Sequence, residues 1–173
     1  GLRLDQLVES KAGANDTSRR ALNQLPTDIR SAKRWFIGSF AGTTFTNRAP
    51  GTAQQGTALQ LFQTTNMSTP YIVYYFDTSD TNSNGKLIRT VYTNSIWVNT
   101  ATLASNLINS LYFTAEDFQG KTATNEGSSV AYKNVIHTTL DFKQLQYPLT
   151  KVGTNHQYDF SRIDFKATPH LPE

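Results

Sequence analysis

Cysteine is absent from the 173 residues. Its absence excludes disulfides, thiolate zinc sites, iron–sulfur clusters and thiol nucleophiles. No apolar run reaches the roughly 18 residues that carry a helix across a bilayer, and no signal-peptide pattern is visible. The phosphate-binding loop, the dinucleotide fingerprint, the H-E-x-x-H zinc helix and the G-x-S-x-G nucleophile elbow are missing too. Charge is sparse at 17%, but 38% of residues are hydrophobic and 12% aromatic, which is too apolar for a disordered chain. What remains is a folded chain of one-domain size.

The formal charge of +3 sits at the front. In residues 1–36, Arg3, Lys11, Arg19, Arg20, Arg30, Lys33 and Arg34 face Asp5, Glu9, Asp16 and Asp28. Acids alternate with bases there, whereas a nucleic-acid face needs a denser basic stripe with stacking aromatics, so no nucleic-acid partner is expected. Leu4, Leu7, Val8, Ala14, Ser18, Ala21, Leu22 and Leu25 recur at steps of three and four, which is helical spacing. At about 1.5 Å per residue this stretch predicts a helix on the order of 36 Å long. Its middle, Ser10 to Thr17, is small and polar, so the helix is not expected to bury its whole length. Pro26 predicts a kink, after which Ile29, Ala32, Trp35 and Phe36 keep the apolar face.

After Gly38 the pattern turns to alternation rich in Thr, Tyr, Phe, Val and Ile, the residues that suit a pleated surface. Strands are expected over 40–46, 57–63, 71–77, 86–92, 95–99, 110–116, 134–142 and 157–166, with a short helical turn near 102–109. Residues 71–76 are apolar on both faces and predict a central strand. In 157–166 the phase of Tyr158 and Phe160 differs from that of Ile163 and Phe165, which predicts a bulge near Ser161. Hairpin-like spacing makes the sheet antiparallel. The expected fold class is α+β: a long N-terminal α-helix (1–36, kinked at Pro26) followed by an antiparallel β-sheet domain (37–173).

Chemistry-bearing motifs are few. Asp80, Asn82 and Asn84 followed by Gly85 match the opening of a calcium loop, but Val91 stands where the closing carboxylate belongs, and Asn84-Gly85 also suits a hairpin turn. His137, His156 and His170 lack metal-ligand spacing; His137 lies on a strand near Thr138 and Asp141, where an acid–base role is conceivable. Glu116, Asp117, Asp159 and Asp164 are the carboxylates a glycosidase-like hydrolase would have to pair, and nothing in their spacing pairs them. Trp35 and Trp97 could stack on sugars, although both lie within patterns that read as core. The expectation is a protein that is not an enzyme and has no cofactor.

Four segments carry a resemblance. Residues 21–32 (ALNQLPTDIRSA) resemble the L-x-x-D-[IL]-R-x-A pattern at the helix end of J-type minor pseudopilins of type II secretion and the related W-type minor pilins. Ile72-Val73-Tyr74-Tyr75 with Leu87-Ile88-Arg89 resembles their V-x-Y … L-x-R hairpin, residues 106–113 (NLINSLYF) are similar to their N-V-x-x-L-x-F segment, and residues 134–140 to a later x-V-x-V-x-L strand. The resemblance implies a type IV pilin-like subunit near the tip of a pseudopilus or pilus. It implies a single-pass bacterial inner-membrane anchor upstream of Gly1, a periplasmic domain that can become extracellular in the filament, and other pilin-like subunits as partners. Leu4, Leu7 and Val8 would then continue a filament seam, while Leu22, Leu25 and Ile29 pack on the chain's own sheet. The alternative reading is an exported carbohydrate- or substrate-binding β module.

Overall fold

The computed structural model describes residues 16–79, 85–125, 134–145, 151–152, 155–156 and 158–169. Its helix, α1, runs over Asp16–Ser31 and passes through Pro26. Leu25 and Ile29 stand one turn apart and are fully buried, each contributing about 1.5–3 kcal/mol relative to exposure. The helix closes on a tightened turn, Ala32 N–H donating to the Ile29 carbonyl at 3.1 Å. Only two residues separate it from strand β1, Arg34–Ala41.

This overturns the long-helix, α+β expectation. The described helix has 16 residues, and the chain is mostly β, a curled antiparallel half-barrel. Trp35 and Phe36 lie on β1, on opposite faces of a strand, because β1 pairs with β4 (Ala58–Phe62) from Arg34↔Phe62 to Gly38↔Ala58. All five residues of β4 are buried, so that strand needs partners on both edges.

Strands β2 (Thr44–Asn47), β3 (Gln55–Gly56), β5 (Tyr71–Asp77), β6 (Gly85–Thr93), β7 (Ile96–Leu107), β8 (Phe113–Glu116) and β9 (Val135–Leu145) complete the order β2-β1-β4-β5-β6-β7-β9-β8-β3. The expected strand over 40–46 is a hairpin instead, turning at Gly42 with φ 68°. The expected helical turn near 102–109 belongs mostly to β7, which carries register shifts against β6 and positive φ at Asn99 and Asn106. Strands β7 and β8 lie in succession along one edge of β9, through Leu107↔Phe142 and then Phe113↔Thr138. Asn109 pins the excursion between them, its Nδ2 donating to the Leu111 and Thr139 carbonyls at 2.7 and 2.9 Å and its Oδ1 accepting from Asp141 N–H at 3.1 Å.

Strand β12 (Tyr158–Ala167) covers the other edge of β9 in unbroken register from Tyr158↔Leu145 to Ala167↔Ile136, so the bulge expected near Ser161 does not form. Strands β10 (Lys151–Val152) and β11 (Asn155–His156) make a separate two-stranded ladder. The curl brings the two ends of the main sheet together, Thr57 N–H donating to the Gly38 carbonyl at 3.1 Å. A Cβ at Gly56 would overlap that same carbonyl. The main core fills the helix side, where Leu25, Ile29, Trp35, Leu61, Leu107 and Ile136 are each at most 1% exposed.

Candidate functional site

Two opposite charges stand at core-facing positions. Asp28 follows Leu25 on the buried stripe of α1, and Arg89 shares the strand phase of Leu87 and Val91 in β6. Arg89 Nε donates to Asp28 Oδ2 at 2.8 Å, and Tyr74 Oη, on the neighbouring strand β5, donates to the same oxygen at 2.5 Å. Gln24 Nε2 holds the other oxygen at 3.2 Å. The Asp28 side chain is 7% exposed and that of Arg89 20%, so both charges are largely withdrawn from water and depend on each other. Burial pushes the Tyr74 phenol far above its ordinary range, and the charge and hydrogen bond of Asp28 add to this. For Arg89, burial works downward, but the hydrogen bond and charge of Asp28 outweigh it and raise the guanidinium above its ordinary value. The node ties the end of the helix to the centre of the sheet.

A second cluster gathers residues that sequence reasoning left apart. His137 on β9 lies between Glu116 of β8 and Asp164 of β12: Nδ1 is 2.8 Å from Glu116 Oε2, and Nε2 is hydrogen-bonded to Asp164. Lys166 Nζ is 2.8 Å from Glu116 Oε1, an ion pair by distance rather than an aligned hydrogen bond. Burial raises the Glu116 carboxyl, yet Lys166 and His137 together outweigh burial and hold it below its ordinary range. The imidazole bridges two carboxylates through opposite nitrogens, so the three groups do not converge on a point, and no metal-holding cluster is found among the described residues. Both ring nitrogens are engaged, and the adjoining Thr138 hydroxyl is buried without a partner. As arranged, the cluster clasps β12 to the sheet, and Arg162 repeats the device one rung away with Asp141 at 2.6 and 3.1 Å.

The other sequence candidates separate. Leu4, Leu7, Val8, Asp80, Asn82, Asn84 and His170 lie outside the described residues. Asp117 shapes a turn, its Oδ1 accepting from the N–H groups of Gln119 and Lys121 at 2.8 and 2.9 Å. Trp35 is fully buried, as expected of core. Trp97 is not core: it is half-buried on the sheet face opposite α1, with ring centroids 4.8 Å from Tyr92, 5.9 Å from Tyr71 and 5.1 Å from Phe40. No described helix is long and apolar enough to cross a membrane. No family model, curated protein or solved structure matches the chain.

Proposed function

We propose that the chain is the globular, non-enzymatic part of a minor pseudopilin or related minor pilin, which assembles with other pilin-like subunits near the tip of a type II secretion pseudopilus or a type IV pilus. The observation that supports this reading most is the Asp28–Tyr74–Arg89 node. Asp28 comes from the D-I-R segment, Tyr74 from the V-x-Y region and Arg89 from L-x-R, and the partners are 46 and 61 residues from Asp28 in sequence. Two of the four segments that carry the resemblance, residues 21–32 and the hairpin of Tyr74 and Arg89, are therefore the ones that lock the helix to its sheet. A filament subunit needs such a lock, because a domain placed by its helix keeps a fixed orientation only if the two move as one body. On this reading the protein is anchored in the bacterial inner membrane by a segment upstream of Gly1, with its domain in the periplasm, and Leu4, Leu7 and Val8 make contact with the partner subunits.

The test is co-expression of the full-length gene product with the pilin-like proteins encoded beside it, followed by affinity copurification from membranes. Copurification with those proteins, and loss of secretion or piliation on gene deletion, is the expected result. Changing Leu4, Leu7 and Val8 together to Ser should abolish copurification while the urea midpoint of this chain stays unchanged. Recovery of the full-length product without pilin-like partners would overturn the proposal.

A further inference from the structure

We infer that the sheet face opposite α1 carries a binding platform for a neutral pyranose of a glycan, floored by the indole of Trp97. This does not rest on the filament reading. Strand alternation and register put Phe62, Tyr71, Tyr92 and Trp97 in one cross-strand row of that face, through Phe62↔Tyr71, Tyr71↔Tyr92 and Tyr92↔Trp97. The next row holds Gln60, Val73 and Thr90. Phe40 and Tyr75 stand beyond it, with ring centroids 4.6 Å apart.

Strands β1 and β7 are four intervals apart, about 19 Å in a flat sheet at roughly 4.8 Å per interval. Yet the Phe40 and Trp97 rings meet at 5.1 Å. The sheet therefore curls toward this face, and the indole reaches diagonally across it. The indole plane is nearly perpendicular to Phe40, at 85°, and to Tyr71, at 82°. Beneath its path Val73 is 0%, Thr90 2% and Gln60 9% exposed, although α1 packs on the other side. The indole remains half-buried, with the rings of Phe40, Tyr71 and Tyr92 around it.

The surroundings select the ligand. The row under the indole is uncharged, and its hydroxyls are satisfied internally, Thr90 Oγ1 and Thr100 Oγ1 lying 2.8 Å apart. Tyr71, Tyr75 and Tyr92 form no hydrogen bond through their hydroxyls among the described residues, and each is half-buried rather than enclosed. The exposed part of a half-buried indole accepts the C–H face of a sugar ring, and phenol hydroxyls beside it can exchange hydrogen bonds with equatorial hydroxyls. The charges of this face stand at its margins, Arg34 across from Phe62 at the far end of the first row and Asp77 across from Lys86 beyond Tyr75, and none lies in the row of Gln60, Val73 and Thr90.

The experiment is a titration of this chain with soluble neutral oligosaccharides, a panel of glucose, N-acetylglucosamine and mannose oligomers at millimolar concentration, followed by tryptophan emission. The chain has two tryptophans, and Trp35 is fully buried, so a saturable change reports Trp97. A blue shift with protection from acrylamide quenching is expected for at least one neutral series. Trp97→Ala should abolish binding by calorimetry. Tyr75→Phe and Tyr92→Phe, which keep the rings and carry the test should the alanine variant not fold, should each weaken it about tenfold, the factor for a lost contact of about 1.4 kcal/mol. Absence of saturable binding across the panel, undiminished binding by folded Trp97→Ala or by both phenylalanine variants, or tighter binding of a sulfated or uronate oligomer would overturn the proposal.

Discussion

Replacing Asp28 by Asn removes one charge and little else. The amide keeps the shape and retains an oxygen for Tyr74, but Arg89 loses its counter-ion while four-fifths of its side chain is covered. Breaking a buried pair in this way costs about 3–5 kcal/mol. Arg89 keeps some water at 20% exposure, which places the loss near the lower end, about 3 kcal/mol. Tyr74→Phe deletes one hydrogen bond to a charged acceptor without stranding a charge and should cost about 1.5–2 kcal/mol. For a chain of this size, 3 kcal/mol corresponds to a fall of about 6–12 °C in Tm. Urea unfolding of the two single variants and the double variant closes a cycle, and a coupling energy of at least about 1 kcal/mol is expected because both groups share Asp28 Oδ2. An Asp28→Asn variant within about 0.5 kcal/mol of the parent, at unchanged m-value, would refute the claim that the node locks helix to sheet.

The clasp at β12 makes a pH prediction. The folded Glu116 carboxyl lies below its ordinary value of 4.5, so its stabilisation is complete above that value and is lost as pH falls through the folded one. Glu116→Gln should flatten the acid limb of the stability curve, and a variant curve parallel to the parent's there would contradict the assignment. At the seam of the sheet, Gly56→Ala should cost about 2 kcal/mol or more, because the added Cβ meets the Gly38 carbonyl rather than a movable side chain. Gly42→Ala, at φ 68° with open space around it, should cost only about 1 kcal/mol; equal losses by thermal melting would contradict the close approach.

The strand over 71–77 was legible to the residue, since only a central strand satisfies the run 71–76, apolar on both faces. The start of β1 was not. Ile29, Ala32, Trp35 and Phe36 continue a helical stripe, and Arg34–Ala41 reads equally as a strand; spacing over so few residues cannot separate the two. The decision belongs to β4, whose five buried residues draw β1 onto their free edge, a contact between residues twenty or more positions apart. The hairpin at Gly42 did leave a local mark, a lone glycine between two short alternating runs.

The buried node was also readable, by a rule about phase rather than motif. Arg89 interrupts the core phase Leu87, Arg89, Val91, and Asp28 sits among Leu25, Ile29 and Ala32; two opposite charges on two apolar stripes require each other, since neither can be buried alone. His137, Glu116 and Asp164 offered no such signal, because His137 is half-buried, Asp164 exposed and Glu116 a lone buried acid at a strand end, and only the register of three strands unites them. Trp97 falls between these cases. Asn94 and Ser95, with φ of 51° and 66°, form a two-residue turn, and such a turn fixes Tyr92 opposite Trp97. That pairing puts the indole on the phase of Thr90 and Tyr92, away from Leu87 and Val91, so a tryptophan inside an apolar pattern was bound for the face that α1 does not cover.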